Sequence, residues 1–473
     1  MLSPSRIKYV FIFLAVSVLS GCTPAPSSLE KVLNRGELVV LTRIDPSTYI
    51  IDEAGTHGFE YELTSLFAEK LGVNIRFIIA KEFQQLVQLS TEDEADFVAA
   101  GLSITPDRKK RLHFTPPYYE VTQQLVYHYR TRRPKSVAKL SGSFLEVIAN
   151  TSHAENLRSI QKTHKNLSWI ESTDSTVLEL VSLVNDHILD YTVVDSNQFQ
   201  LIRGQFPNLN VAFDISKPEK IAWAFPLGED HSLYNEAVKF LAELKSTGVL
   251  EQLQDKHFGY SKQLDYVGIC TFWHHADTRL PKLIKSFHLA AKKYNLDWKL
   301  LAAVAYQESH WNKHAVSPTG VRGIMMLTKA TAKQMNVTNR LDPEQSIEGG
   351  AHYLSTRIKK IPKRIEEPDR TWMALAAYNI GFGHLEDARI LTQQQGGDPD
   401  KWIDVKQRLP LLAEKEWYQK TKYGYARGKE PVTYIDNVRQ YIKMLKKLEP
   451  NSLSDEQNKI DTDATLNIEL QAL

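Results

Sequence analysis

A single carboxylate interrupts an apolar helical pattern in the segment AAVAYQESHW, residues 302–311. Leu301, Val304, Ala305 and Glu308 recur at i, i+3, i+4 and i+7, a spacing that predicts one shared face of a helix. Apolar surroundings disfavour a charged carboxylate and raise its pKa, so that it holds a proton near neutral pH. Cleavage of a glycosidic bond requires a proton donor of this kind. The segment also allows a second interpretation, in which Glu308 lies at a frayed helix end and faces solvent.

The elements that must position Glu308 are all predicted to be helices. Asp297 is expected to cap the helix WKLLAAVAYQES, and LPKLIKSFHLAAKKYN before it has apolar residues at helical spacing, with Pro281 in its first turn. The later segments SIEGGAHYLSTRIKKI, TWMALAAYNI and PVTYIDNVRQYIKMLKKL show the same periodicity. Strand signals are nearly absent after Gln263, so this half is predicted to be all-α.

This second half resembles the soluble-lytic-transglycosylase type of enzyme, which has a lysozyme-like fold. The resemblance rests on motifs in the expected order, namely Glu308-Ser309, GVRGIM from Gly320 to Met325, AYN ending at Asn379, and a late helical aromatic residue, Tyr434. It implies that Glu308 is the catalytic residue. The substrate-binding residues that it implies are Ser309, Gly320, Gly323, Met325, Tyr378, Asn379 and Tyr434. Met326 stands where the family usually has Gln, which leaves one polar contact to the sugar or the loop in doubt.

Several motif residues also have a structural interpretation. The Ser309 hydroxyl can orient the acid or the sugar, or it can bond the helix backbone. Gly320 and Gly323 can let the backbone approach a sugar ring, or they can form an ordinary turn. Asn379 can bind an N-acetyl group or cap its helix, and the ring of Tyr434 can belong to the core.

The remaining motif side chains are expected to surround the acid. The hydroxyls of Tyr378 and Tyr434 are expected to reach Glu308 while their rings pack, and Met325 is expected to pack under the sugar. These contacts would place one acid among aromatic and apolar groups.

Ordinary glycosidases use two carboxylates, but only Glu308 lies inside a motif of this half. Asp342, Glu344 and Glu348 surround a turn and a helix start, where helix capping explains them better. The resemblance implies a one-acid mechanism, in which Glu308 protonates the bond between N-acetylmuramic acid and N-acetylglucosamine and then, as a base, activates the muramoyl C6 hydroxyl. The implied product is a 1,6-anhydromuramic end, and this lyase reaction consumes no water and uses no metal or cofactor.

Two other functions fit parts of the sequence. A lysozyme-like hydrolase on the same fold would leave reducing ends instead of anhydro ends. A non-catalytic wall-binding or sensing lipoprotein would not cleave glycan at all, although intact Glu308, Tyr378 and Asn379 argue against it.

The first half alternates strand and helix patterns. GELVVLTRI, NIRFIIA and DFVAAGLSI are typical of strands, and YELTSLFAEKLG is typical of an amphipathic helix that ends at Gly72. VLELVSLVNDHILDYTVVD repeats the helix-then-strand order, which favours a second lobe. The alternation predicts an α/β domain with mostly parallel sheets.

Ser103, Thr105 and Arg108 follow one of these strands in a loop. A guanidinium beside hydroxyls and backbone N–H groups can bind both oxygens of a carboxylate, although a surface salt bridge is the alternative. GFEYELTSLFAEKLG and DFVAAGLSITPDRKKRLHFTPPYY resemble family-3 bacterial solute-binding proteins, which serve polar amino-acid uptake. The resemblance implies that Arg108 binds the α-carboxylate of a ligand and that Asp195 meets its α-amino group. Helix capping is the alternative for Asp195.

The fusion of these halves resembles one membrane-bound subgroup of the lytic transglycosylases, of which Met326 is typical. The expected partners are therefore peptidoglycan glycan strands in the second half and an amino acid or muropeptide in the first. The fusion also motivates the hypothesis that a ligand in the first half regulates the second.

The first residues, MLSPSRIKYVFIFLAVSVLSGC, predict export, because basic residues precede an apolar run too short for a comfortable membrane span. Leu19-Ser20-Gly21-Cys22 resembles a lipobox, which implies lipidation of Cys22, although plain cleavage nearby is the alternative. Thr23 in place of Asp favours sorting to the periplasmic face of the outer membrane.

The predicted organisation is a signal peptide (1–21), a lipidated tether (22–28), a solute-binding-protein-like domain (29–262), a lytic transglycosylase domain (263–449) and a disordered tail (450–473). The net charge of +2 provides no basic field for nucleic acid. Cys22 and Cys270 are the two cysteines of the sequence, and they indicate neither a metal site nor, if Cys22 is acylated, a disulfide.

Overall fold

The computed structural model describes residues 26–52, 55–88, 94–259, 266–317 and 319–448. The predicted signal peptide, the lipidation site Cys22, most of the tether, the predicted tail and the predicted domain boundary at 262 lie outside these residues. All of the domain bounds therefore remain predictions.

The described strands lie in the first half of the chain. They are β1 (Glu37–Thr42), β2 (Ile50–Asp52), β3 (Gly55–His57), β4 (Asn74–Ile79), β5 (Phe97–Val98), β6 (Leu112–Phe114), β7 (Tyr119–Val121), β8 (Gln123–His128), β9 (Leu145–Ile148), β10 (Ile170–Ser172), β11 (Tyr191–Asp195), β12 (Leu209–Asp214), β13 (Glu219–Ile221) and β14 (Ala224–Pro226).

The described α-helices of the first half are α1 (Ser28–Arg35), α2 (Phe59–Leu71), α3 (Gln85–Gln88), α4 (Ser152–Gln161), α5 (Val177–Asn185), α6 (Ser196–Ile202), α7 (Ser232–Ser246) and α8 (Val249–Phe258). Those of the second half are α9 (Tyr266–Thr278), α10 (Ile284–Tyr294), α11 (Trp298–Ser309), α12 (Lys329–Gln334), α13 (Pro343–Lys360), α14 (Asp369–Ile380), α15 (Phe382–Gln394), α16 (Trp402–Arg408), α17 (Lys415–Tyr418) and α18 (Lys429–Leu445).

The first half forms two five-stranded sheets, as a two-lobed α/β fold requires. One has the order β4-β1-β5-β14-β6 and the other the order β10-β9-β11-β8-β12. The chain crosses between them on β7 and returns on β13, and these two strands pair antiparallel. Among the described strands, those that directly follow a crossover, β8 and β14, run against their neighbours. The predicted fold class is confirmed, but the sheets are mixed because each crossover reverses the strand after it.

The helix predicted from YELTSLFAEKLG is α2, and it shows how the local sequence sets the packing of lobe one. Phe59, Leu63 and Phe67 are buried on one face, in a cluster with Leu38 of β1. Each such side chain contributes about 1.5–3 kcal/mol on burial. Gly72 ends the helix with φ +69°, the left-handed conformation that glycine adopts most easily.

The second half is helical in every described element, as predicted, and α11 is its central helix. All residues of α11 from Leu300 to Tyr306 are buried, so this segment is apolar on all sides and is surrounded by other helices. Asp297 caps it as expected, since its carboxylate accepts a hydrogen bond of 2.8 Å from the Lys299 amide.

The two halves are joined by direct contacts. Asp255 of α8 accepts a hydrogen bond of 2.8 Å from Arg439 of α18 and also pairs with Lys406 of α16. The indole of Trp273 in α9 donates a hydrogen bond of 2.6 Å to the Gly204 carbonyl of lobe two. Helix α18 therefore contacts both the first half and, as described below, the candidate acid.

None of the helices in the described ranges combines the length and the apolarity needed to span a bilayer.

Candidate active site

Glu308 lies in the last turn of α11, and the backbone after it turns sharply. His310 and Trp311 both have positive φ, 51° and 57°. The His310 amide bonds back to the Tyr306 carbonyl at 2.8 Å, and the buried indole of Trp311 donates to the Ala302 carbonyl at 2.8 Å. The helix end is thus tied to its own core, so that the interpretation with a frayed end does not describe this structure.

The Glu308 carboxyl group is half-buried and accepts a hydrogen bond of 2.8 Å from the Tyr434 hydroxyl of α18. Burial raises the pKa of Glu308 to about 7, and the Tyr434 hydrogen bond partly opposes this by stabilising the carboxylate. A group with this pKa exists in both protonation states at neutral pH. It can therefore both donate and accept a proton.

The hydroxyls of the two motif tyrosines, Tyr378 and Tyr434, make different contacts. Burial, followed by the charge of Glu308, raises the pKa of both Tyr378 and Tyr434 well above the usual value, so both stay protonated. Tyr434 donates to Glu308, whereas Tyr378 donates to the Met325 carbonyl at 3.2 Å. The expectation that both hydroxyls contact Glu308 is therefore met by Tyr434 alone.

The Ser309 hydroxyl is within hydrogen-bonding distance of two backbone carbonyls, Ala305 at 3.2 Å and Ile324 at 2.8 Å. It joins the end of α11 to the GVRGIM loop. Of the alternatives that the sequence left open for Ser309, the structure contains the backbone contact.

The two glycines of the GVRGIM loop have different surroundings. Both have positive φ, 80° at Gly320 and 84° at Gly323. A Cβ on Gly323 would lie 1.8 Å from the Arg340 carbonyl oxygen, while a Cβ on Gly320 would meet no atom within 4 Å. Close approach at Gly323 is thus to protein backbone, and any approach of a sugar is left to Gly320.

Met325 is completely buried, and the expectation that it packs under the sugar stays a prediction. Its side chain fills the space above Gly350, where an added Cβ would lie 2.5 Å from the Met325 Cγ. Its amide donates to the Ser346 hydroxyl at 3.2 Å. Met325 therefore anchors the loop on α13, and its carbonyl holds Tyr378.

Asn379 lies in the last turn of α14, one residue before the helix ends at Ile380, and its side chain is exposed. It lies inside the helix, so the cap interpretation does not apply. Gly381 follows with φ 93° and begins the next helix. The amide is thus available to a ligand, next to the half-buried Tyr378.

Sequence reasoning missed the residues that support the GVRGIM loop, Tyr378 and the end of α14. Arg340 donates to the Gly320 and Leu327 carbonyls at 3.0 and 2.8 Å, and the Tyr353 ring packs edge-on against Tyr378 at 5.2 Å. Tyr423, which is 54% exposed, lies over Gly383 beside the end of α14. The tyrosines in KYGYARG were the available signal, but no periodicity links that loop to Asn379.

In the first half, the guanidinium of Arg108 is buried where the two lobes meet. It donates to the Ser103 carbonyl at 3.0 Å and to the Asn150 carbonyl of lobe two at 3.4 Å, and it lies 3.4 Å from the Glu155 carboxylate. The ring of Phe83 lies 4.9 Å from its carbon. Arg108 thus has an acidic partner, as the salt-bridge alternative requires, but its guanidinium is buried and not on the surface.

The other residues predicted for this cleft lie close by. Asp195, at the N-terminus of α6, pairs with the buried His153 at 2.9 Å. The Ser103 hydroxyl lies 3.5 Å from that of Ser152, and the Thr105 hydroxyl accepts the Arg108 amide at 3.3 Å. Asp195 therefore both precedes the first residue of α6, as the capping alternative requires, and lies at the cleft between the lobes.

The lobes are also bridged by an amide. Gln198 of lobe two donates a hydrogen bond of 2.8 Å to Asp45 of lobe one, and both residues are buried. Arg108, Asp195 and their neighbours therefore lie at a contact between lobes. A ligand can bind in this cleft by replacing these contacts between the lobes.

Two family models match the chain. The model described as "Transglycosylase SLT domain" matches residues 285–401 and therefore includes the motifs around Glu308 and Asn379. The model described as "Bacterial extracellular solute-binding proteins, family 3" matches residues 38–260 and therefore includes Arg108 and Asp195.

Solved structures similar to the first half include a mutant of the ArgBP of T. maritima, 24% identical with a TM-score of 0.45 over 49% of this chain and 99% of that one. An ancestral arginine-binding protein bound to arginine is 26% identical with a TM-score of 0.44 over 48% of this chain and 99% of that one.

Curated relatives match almost the whole sequence. Membrane-bound lytic murein transglycosylase F of Saccharophagus degradans is 46% identical over 92% of this chain and 87% of its own length. Membrane-bound lytic murein transglycosylase F 1 of Alkalilimnicola ehrlichii is 48% identical over 89% of this chain and 85% of its own length. With both modules in the same order and identity at this level, the chain belongs to the membrane-bound lytic murein transglycosylase F family.

Proposed function

We propose that this chain is a peptidoglycan lytic transglycosylase that cleaves the β-1,4 bond between N-acetylmuramic acid and N-acetylglucosamine and leaves a 1,6-anhydromuramic end. The observation that carries the proposal is the half-buried Glu308 carboxyl group, bonded by Tyr434 and with a pKa raised to about 7. Its environment suits a proton donor that becomes a proton acceptor within one reaction cycle.

In the first step, protonated Glu308 donates its proton to the glycosidic oxygen as the bond breaks. Tyr434 stabilises the carboxylate that forms, because its hydroxyl already donates to Glu308 Oε1 at 2.8 Å. The raised pKa of Tyr434 keeps that hydroxyl protonated throughout.

In the second step, the Glu308 carboxylate accepts the proton of the muramoyl C6 hydroxyl while the oxygen attacks C1 of the same sugar. Asp342 and Glu348, which are other acids of this half, make structural contacts instead. Asp342 caps α13 through the Gln345 amide at 2.9 Å, and Glu348 pairs with Lys293. A one-acid mechanism agrees with these contacts.

The substrate contacts are assigned by exposure. Asn379 presents its amide to the N-acetyl group of a sugar, and Gly320 presents backbone without a side chain. Tyr378, Ser309, Gly323 and Met325 hold the loop and helix ends that form the cleft, as their hydrogen bonds and burial indicate.

The first half is proposed to bind an amino acid or a stem peptide released from the wall. The α-carboxylate of the ligand replaces the Asn150 carbonyl and Glu155 around Arg108, and its amine pairs with Asp195. Exchange of these contacts changes how the lobes meet, which is how a ligand biases a hinged domain.

The route to the active site is proposed to run through the joint between the halves. Asp255 holds Arg439 at 2.8 Å, and Arg439 lies on the same helix as Tyr434, the hydrogen-bond partner of Glu308. A shift of α18 that lengthens the Tyr434–Glu308 contact would change both the pKa and the position of the acid.

The attachment that the relatives' names describe as membrane-bound is proposed to be lipidation of Cys22, at the periplasmic face of the outer membrane. The predicted signal sequence and the lipobox-like LSGC support this proposal.

Digestion of isolated cell wall, followed by mass analysis of the products, tests the activity. We expect anhydro ends from the wild type and no products from Glu308→Gln. Glu348→Gln is the matched control, because Glu348 is an exposed glutamate in the same half. Reducing ends would contradict the transglycosylase, and equal lysis by Glu308→Gln would contradict the assignment of the acid.

A further inference from the structure

A cleft with a cavity volume of about 260 Å³ lies where lobe one, lobe two and α18 meet, apart from Glu308. It is partly open to solvent and is lined on its protein side mainly by aliphatic groups. The aliphatic lining residues are Ile44, Pro46, Ile50, Val177, Leu178, Leu201 and Ile202. Ile44 is 56% exposed and Leu178 40% exposed, so both lining side chains offer apolar surface at the cleft.

Part of the lining is cationic, because Lys443, in the last turn of α18, and Lys446 and Lys447, which follow that helix, also line the cleft. Lys446 and Lys447 are exposed and solvated, but Lys443 is half-buried. Residues that the structure describes form no salt bridge or hydrogen bond with the Lys443 ammonium group.

An ammonium group removed from water without an acid partner is energetically unfavourable. Burial and the neighbouring Lys447 accordingly lower the pKa of Lys443 to about 7. A bound anion would remove this penalty, because a carboxylate beside Lys443 makes a charge-assisted hydrogen bond. Asp45 also lines the cleft, but its carboxylate pairs with Arg43 at 3.2 Å and accepts a hydrogen bond from Gln198.

We propose that this cleft is a second small-molecule site that binds an aliphatic carboxylate, with the head group at Lys443 and the hydrocarbon chain along Ile44, Leu178 and Leu201. Charge complementarity selects the head group. The walls carry no Phe, Tyr or Trp, so an aliphatic body fits them better than an aromatic one. The ligand would contact both halves of the chain at once.

Titration calorimetry of the full chain with decanoate tests the proposal. We expect decanoate to bind one-to-one. Acetate should bind much more weakly because it lacks the hydrocarbon chain, and decanol because it lacks the carboxylate. Lys443→Met should reduce decanoate affinity by about tenfold or more, the loss expected for a charge-assisted contact. Leu178→Asp should reduce it as well, by placing a carboxylate in the aliphatic wall.

Lys292→Met is the control, since Lys292 is an exposed lysine of α10 that does not line this cleft. The decanoate affinity of this variant should equal that of the wild type. Circular dichroism and the thermal midpoint verify that each variant is folded. Undiminished binding by folded Lys443→Met, or tighter binding of decanol than of decanoate, would overturn the proposal. Binding only after removal of residues 449–473 would also overturn it, because that segment would then be the occupant.

Discussion

The Tyr434 hydroxyl and the Glu308 carboxylate are 2.8 Å apart although they lie on different helices, α18 and α11. The tyrosine lowers the pKa that burial raises, so the pKa of about 7 for Glu308 reflects both effects. This one contact links the chemistry of the acid to the position of a helix that also touches the first half of the chain.

Removal of this hydroxyl should change the pH dependence. In Tyr434→Phe the carboxylate loses a stabilising hydrogen bond, so the Glu308 pKa rises above its present value of about 7. The first step needs protonated Glu308, so the alkaline limb of kcat/KM should move to higher pH by about one unit, with activity about tenfold lower.

The measurement is a pH profile of anhydro-product release. Tyr441→Phe serves as the control, because Tyr441 is a buried tyrosine of the same helix that stacks on Phe272. A loss of activity without movement of the alkaline limb would indicate a packing role for Tyr434.

Glu308 should also make stability depend on pH. Its folded-state pKa of about 7 exceeds the ordinary value of 4.5, so its stabilising contribution is present below pH 4.5 and is lost as pH rises through 7. Glu308→Gln removes this dependence. We expect the variant to be more stable than the wild type above pH 7, by about 3 kcal/mol at most, and to have similar stability at pH 4.

Urea unfolding of both proteins at several pH values measures this difference. A stability gap that stays constant between pH 4 and pH 8 would contradict the raised pKa and the burial that causes it.

The GVRGIM loop offers a paired test. Gly323→Ala places a Cβ 1.8 Å from the Arg340 carbonyl oxygen at a φ of +84°, so the loop must move. Gly320→Ala has the same sign of φ but no contact within 4 Å. We expect a loss of about 1–2 kcal/mol at Gly320, from backbone strain alone, and a clearly larger loss at Gly323.

Thermal unfolding gives the stability of both variants, and wall digestion gives their activity. Equal destabilisation at the two positions would show that the approach to Arg340 does not constrain the loop.

The sequence predicted the helices and strands well, because their caps and periodicities are local. Asp297 capping α11 and Gly72 ending α2 are examples. The reversed direction of β8 and β14 was not predicted, since it depends on pairing between distant segments.

In the candidate site too, features set by the local sequence were predicted and contacts between distant segments were not. The spacing around Glu308 predicted a carboxylate on an apolar helix, but the partner of each neighbouring hydroxyl depends on loops that come together only in the fold. Ser309 and Tyr378 therefore turned out to bond the backbone of the GVRGIM loop, at Ile324 and Met325.

The ligand cleft of the first half can be tested by calorimetry with amino acids and wall-derived peptides. Arg108→Met removes the guanidinium, which makes the central contacts between lobes, and should abolish binding of ligands with a free α-carboxylate. Arg111→Met is the control, because Arg111 is exposed beside the same loop. Equal binding by Arg108→Met would contradict the proposed role of Arg108.

The joint between the halves gives the most demanding prediction. Asp255 is largely buried between Lys406 and Arg439, and Arg439 also lies 5.3 Å from the ring of Trp372. Asp255→Asn removes the carboxylate that pairs with the buried Arg439 and the partly buried Lys406, which should destabilise the chain by about 3–5 kcal/mol. Since the proposed coupling passes through this contact, a peptide that changes the lytic rate of the wild type should have no effect on the variant, even though calorimetry still detects its binding.

Glu251→Gln, an exposed substitution on the same helix α8, should retain both stability and response. The decisive measurement is the ratio of lytic rates with and without saturating peptide, taken below the unfolding temperature of each variant. A ratio in Asp255→Asn equal to that of the wild type would show that the signal takes another route. A ratio near one, with peptide still bound, would locate the coupling at the contact between Asp255 and α18.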